Sequence, residues 1–84
     1  MHKIEFTKRA KKQFDKLSWD IQERIISVLE RTKIRPGDYF ERLVGEKAYK
    51  LRIGKYRVIA DLINDKLIIL VLEIGHRKNI YKRD

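Results

Sequence analysis

The segment spanning residues 48–74 constrains the fold of this chain more than any other, because it holds three strand-like runs punctuated by two pairs of turn residues. Runs 48–53, 56–63 and 66–74 are rich in β-branched and aromatic side chains, and Gly54-Lys55 and Asn64-Asp65 between them suit two-residue hairpin turns. A β-meander follows. The last run, KLIILVLEI, is apolar at successive positions, as in a central strand covered on both faces. The rest of the chain must supply that cover.

The N-terminal half supplies it with helices. HKIEF, residues 2–6, alternates like a short strand, and Thr7 is placed to cap the helix after it. Ala10, Phe14 and Leu17 then fall at i, i+4 and i+7 on one helical face, with Lys8, Arg9, Lys11, Lys12 and Lys16 outside. Ser18 suits the N-cap of a second helix, whose buried stripe is Ile21, Ile25, Val28 and Leu29 and which Pro36-Gly37 ends. So short a link implies an antiparallel helical hairpin. Residues 38–47 show no firm periodicity and read as an ordered loop. The predicted fold is α+β: a short N-terminal strand, a helical hairpin and a three-stranded antiparallel meander, with the helices packed on a mostly antiparallel four-stranded sheet. It forms a single domain over 1–84, with Phe14, Ile25 and Leu29 packing against Leu70 or Leu72.

Without cysteine, the chain has no disulfide, thiolate nucleophile or Cys-based zinc site. The longest apolar stretch, 67–72, is far too short to span a bilayer, and the N-terminus does not resemble a signal peptide, so a soluble cytoplasmic protein without membrane association is expected. Lys and Arg number 21 against 12 Asp and Glu, a formal charge of +9. That excess points to a polyanionic partner. His2 and His76 stand apart and the acids are scattered, so no metal-ligand spacing arises; no P-loop, GxGxxG or nucleophile elbow occurs either, and neither metal nor cofactor is expected.

The charge is concentrated in the meander. If Gly54-Lys55 is a two-residue turn, Ile53 pairs with Tyr56 and Arg52 lies across from Arg57, with Lys50 on the same face. Tyr49, Leu51, Tyr56 and Val58 point the other way. Directly opposed like charges destabilise a sheet, by roughly 1 kcal/mol in water-like surroundings and ~3 kcal/mol at an effective dielectric near 20. Folding does not need them there, but an anion would, and Asp61 on that face offers only partial neutralisation. A second basic cluster, GHRKNIYKR, follows the last strand, where Gly75 is expected to turn the chain away and send His76, Arg77 and Tyr81 off near one edge. Cations and a phenol without a metal suit phosphodiester cleavage by an adjacent ribose 2′-OH. This reaction needs a base, positive charge for the phosphorane and a proton for the leaving oxygen. A binding module that only neutralises phosphates, without cleaving, is the alternative from another class.

The segments LVGEKAYKLRIGKYRVIADL, LIILVLEIG and GHRKNIY together resemble the RelE/ParE superfamily of toxin–antitoxin toxins, most closely RelE, across essentially the whole chain. The resemblance implies a ribosome-dependent endoribonuclease that cuts mRNA in the decoding site and inhibits translation. It would be held inactive by a RelB-like antitoxin and would reach operator DNA only through that antitoxin. Lys50 falls on the first basic residue of the YKLR-type strand, a candidate general base. Arg52 falls on the second, where bacterial proteins often carry lysine, which keeps the charge and weakens any proton transfer. Arg57 matches the arginine that stabilises the scissile phosphate, and Arg77 the one associated with the leaving group. Tyr81 matches the C-terminal tyrosine that orients the nucleotide, at a shorter spacing from Arg77 than in the bacterial pattern. His76 is an additional candidate for proton transfer. A ParE-like toxin directed at gyrase is the rival within the superfamily.

Overall fold

Thr7 starts the first helix as its position predicts. Its Oγ1 accepts from the Ala10 N–H at 3.1 Å, satisfying one of the amides that a helix N-terminus leaves without an intrahelical acceptor. The computed structural model describes residues 1–80. In chain order it contains β1 (Lys3–Phe6), α1 (Lys8–Asp15), α2 (Trp19–Thr32), a 3-10 turn (Pro36–Asp38), β2 (Glu41–Arg42), β3 (Tyr49–Ile53), β4 (Tyr56–Ile63), β5 (Ile68–His76) and α3 (Arg77–Ile80). Ser18 is the N-cap residue of α2, but its side chain makes no capping bond. Instead, Gln22 of α2 donates from Nε2 to the Phe14 carbonyl at 2.9 Å, satisfying the C-terminal end of α1 and closing the helical hairpin. None of the described helices is long and apolar enough to cross a membrane.

The helices pack on one face of a sheet ordered β1-β5-β4-β3-β2, in which only the β1–β5 pairing is parallel. The expected architecture therefore holds, with one strand more than the four predicted. The fifth is β2, inside the segment read as a loop: Glu41 pairs with Lys50 and Arg42 with Tyr49. A strand of two residues is too short to show alternation, while Phe40 and Leu43 beside it are buried and hold it down.

The core partners of the helices also differ from expectation. Ile25 and Leu29 are fully buried with Val58, Ala60, Ile69, Val71 and Ile74, not with Leu70 or Leu72. Leu72 packs on the opposite face with Ile59, Leu43 and Ala48. A strand apolar at every position gives no periodic signal of which face meets the helices.

The β4–β5 hairpin departs from a two-residue turn at Asn64-Asp65. Ile63 pairs with Ile68, leaving 64–67 as the loop, and Leu67 adopts a left-handed conformation with φ of 54°. At its far end β5 runs straight through Gly75 to His76, so Gly75 does not turn the chain away. Gly75 instead sits across from Arg57, leaving that position of the sheet face without a neighbouring side chain. Where β1 stops, α1 takes over as the neighbour of β5: Thr7 Oγ1 donates to the Leu72 carbonyl at 3.3 Å, and Gln13 Oε1 accepts from the Ile74 N–H at 2.8 Å.

Candidate functional site

The tight turn at Gly54-Lys55 sets the geometry of the charged face. Gly54 has φ of 59°, the left-handed region that a two-residue hairpin demands and that glycine enters without a Cβ penalty. The resulting register pairs Ile53 with Tyr56, Arg52 with Arg57 and Leu51 with Val58. Leu51, Val58 and Ile53 join the helix-side core, so Lys50, Arg52 and Arg57 share the opposite face.

On that face the cations are not equivalent. Arg57 is only 6% exposed, Lys50 is half-buried and Arg52 is exposed. An open cavity of about 460 Å³ is lined by Arg52, Arg57, Arg77 and Lys78. The two basic clusters thus converge: β3 brings Arg52, β4 brings Arg57, and the first turn of α3 brings Arg77 and Lys78. Arg77 is held there by its own backbone, whose N–H donates to the Lys55 carbonyl in the hairpin turn at 2.8 Å. Asp61 lies on the same face four residues along β4 from Arg57, roughly 13 Å at strand rise.

Lys50 borders a neighbouring cavity of about 390 Å³, whose lining includes Arg52, Arg31, Tyr39 and the carboxylates of Asp38 and Glu41. Arg52 lines both cavities and links Lys50 to the Arg57 site. The acidic side of this arrangement was hidden in the sequence, because Glu41 meets Lys50 only through β2.

His76 is placed elsewhere. It pairs with Tyr56, their rings meet edge to face at 5.5 Å and 73°, and both line a cavity on the helix side with Arg9, Gln13, Lys16 and Glu73. The structure therefore separates His76 from the Arg57 cavity by the thickness of the sheet. The cause is a β-bulge: Ile59 pairs with Glu73 and Ala60 with Val71, so Leu72 is an extra residue, and Ile74, Gly75 and His76 fall on the faces opposite to those that unbroken alternation would give them. Tyr81 lies outside the described residues.

The cavity's chemistry is that of an anion site. Arginine offers fork-like donors suited to phosphate, and three arginines and a lysine about one cavity, one of them buried, provide fixed positive charge. Among the described residues no group of three or more His, Asp or Glu is arranged to hold a metal ion.

The family profile of the ParE toxin of type II toxin–antitoxin systems matches residues 4–81. Curated protein sequences give no significant match. Among solved structures, the RelBE toxin–antitoxin complex of E. coli is similar at 26% identity with a TM-score of 0.77, covering 90% of this chain and 96% of that one. A RelBE toxin–antitoxin complex from Mycobacterium tuberculosis gives a TM-score of 0.83 at 20% identity over 90% of this chain and 98% of that one. The RelB–RelE complex of Methanococcus jannaschii gives 0.70 at 22% identity over 93% and 95%. With its helical hairpin on a five-stranded sheet and its profile match over nearly all its length, the chain belongs to the ParE toxin family of type II toxin–antitoxin systems, within the RelE/ParE superfamily and most like RelE.

Proposed function

We propose that this toxin is a ribosome-dependent endoribonuclease that cleaves mRNA in the decoding site and thereby inhibits translation. The observation that carries the reading is the cavity lined by Arg52, Arg57, Arg77 and Lys78, with Arg57 nearly buried at the centre of the hairpin register. Fixed cations of this kind act where charge develops, on the oxygens of a pentacovalent phosphorane. The nucleophile is the ribose 2′-OH: its oxygen bonds to phosphorus, its proton passes to a base, and the bond to the 5′-oxygen breaks as that oxygen takes up a proton. The products are a 2′,3′-cyclic phosphate and a 5′-hydroxyl, and no step calls for a metal.

In this scheme Arg57 and Arg77 hold the scissile phosphate and stabilise its charge, Arg52 adds charge, and Lys50 is the candidate base. Tyr81 takes the nucleotide-orienting role that the family resemblance implies. In this reading the ribosome holds the mRNA so that the 2′-oxygen stands in line with its leaving group. A single toxin domain over 1–84 working in the cytoplasm, restrained by a RelB-like antitoxin that also carries operator binding, completes the reading. The similar structures from E. coli, M. tuberculosis and M. jannaschii, each a complex with an antitoxin, support that partner. The family profile is named for ParE, but the convergence of three arginines and a lysine on one cavity favours RNA chemistry over a gyrase-directed role.

The test is to incubate the protein with a defined mRNA, with and without translating ribosomes, and to analyse the ends of any fragments. Cyclic phosphate and 5′-hydroxyl ends that appear only with ribosomes are expected. Intact mRNA in both reactions contradicts the proposal, as does equal cutting of naked RNA at the same positions.

A further inference from the structure

His76 occupies the junction at which β5 becomes α3, and it makes two contacts there. Its Nδ1 lies 3.2 Å from the backbone nitrogen of Lys78, which can only donate, so the ring nitrogen is the acceptor. Its ring packs edge to face on Tyr56, its cross-strand partner in β4. Since α3 begins at Arg77, His76 stands at the N-cap position and Lys78 at the second helical residue, the amide that a capping side chain usually satisfies. An imidazole therefore does here what Ser, Asp or Asn does at other helix starts. The residue between the two capped positions is Arg77, whose own N–H is tied to the Lys55 carbonyl.

We infer that His76 is a positioning residue for the phosphate cavity: seated on Tyr56 on the helix side of the sheet, it caps α3 and so fixes Arg77 and Lys78 over Arg52 and Arg57 on the other side. The inference rests on the nuclease reading for its effect on activity, though not for the cap itself. The accepting nitrogen must carry no proton, which makes the resident form the neutral ring with hydrogen on Nε2. A second proton turns the acceptor into a donor facing a donor, and the cap is lost. The groups around the ring are Tyr56 on β4, Glu73 on β5, Arg9 and Gln13 on α1, Lys16 at the C-cap of α1, and the backbone amide of Lys78.

The experiment uses the full chain as wild type, His76→Ala, His76→Asn and Arg57→Ala. Asparagine keeps a capping acceptor without a titrating ring. In the ribosome cleavage assay, His76→Ala is expected to lose roughly fivefold to tenfold, and His76→Asn to restore most of that loss. Histidine nitrogen NMR of the wild type at neutral pH should find Nδ1 unprotonated and hydrogen on Nε2. Wild-type activity in His76→Ala, equal damage in His76→Ala and His76→Asn, or hydrogen on Nδ1 would each overturn the inference. If wild type cuts no mRNA at all, the nuclease reading fails, and the tautomer with the Arg77 and Lys78 amide shifts of the two variants still decides the cap.

Discussion

Arg52 lies directly across from Arg57 on adjacent antiparallel strands, one guanidinium exposed and the other 6% exposed. Gly75, on the far side of Arg57, contributes no side chain to separate it from solvent or ligand. Two like charges in register oppose folding, so removing the exposed one should stabilise the protein while weakening it as a toxin. Arg52→Thr keeps a β-favouring residue and is expected to raise unfolding free energy by about 0.2–1 kcal/mol. Denaturant unfolding beside a cleavage assay measures both; a less stable Arg52→Thr would mean that the pair is not repulsive in the folded state.

Gly54 holds that register through its left-handed backbone. Gly54→Ala should destabilise the protein by about 1–2 kcal/mol, because φ of 59° is strained for any residue with a Cβ, and the added carbon would lie 3.2 Å from Arg24 Nη1. The arginine tip can move aside, whereas the backbone cannot. Thermal unfolding of Gly54→Ala identical to wild type would contradict this account of the turn.

The hairpin register was legible in the sequence because Gly54-Lys55 has a specific turn chemistry, and from it followed the shared face of Lys50, Arg52 and Arg57. Thr7 and the Ile25–Leu29 stripe were legible for similar reasons, a capping oxygen and a helical period. Leu72 was not. A single extra residue in β5 breaks the alternation, so His76 lands on the helix side and Gly75 beside Arg57, and no local pattern announces a bulge. Glu41 was hidden too, since a two-residue strand carries no period. Tyr81 lies outside the described residues, and its role rests on the family resemblance.

The face of β5 can be tested directly. Ile69 is fully buried among the helix-side core residues, whereas Leu70 is half-buried and outside both apolar clusters. Ile69→Asp should leave the chain unfolded, since a carboxylate there would be buried away from water in the apolar core. Leu70→Asp should fold, with a lowered melting temperature. Circular dichroism melts distinguish them, and the reverse order of severity would place the helices on the wrong face.

Lys50 carries the base role only if its loss changes how rate depends on pH. Lys50→Ala should slow cleavage by roughly 10²-fold or more, and the wild-type rise in rate with pH should flatten in the variant. Circular dichroism controls for folding. A variant that is slower but keeps the wild-type profile would assign Lys50 to charge stabilisation and leave the base elsewhere.

The central claim is that the arginine cavity performs RNA cleavage on the ribosome. Primer extension on mRNA from a reconstituted translation reaction, with wild type and Arg57→Ala and with ribosomes present or omitted, tests it most directly. The account predicts codon-phased cuts that require ribosomes and fall by about 10²-fold or more in Arg57→Ala. Full cutting by a folded Arg57→Ala, or intact mRNA with folded wild type under every condition, would contradict it.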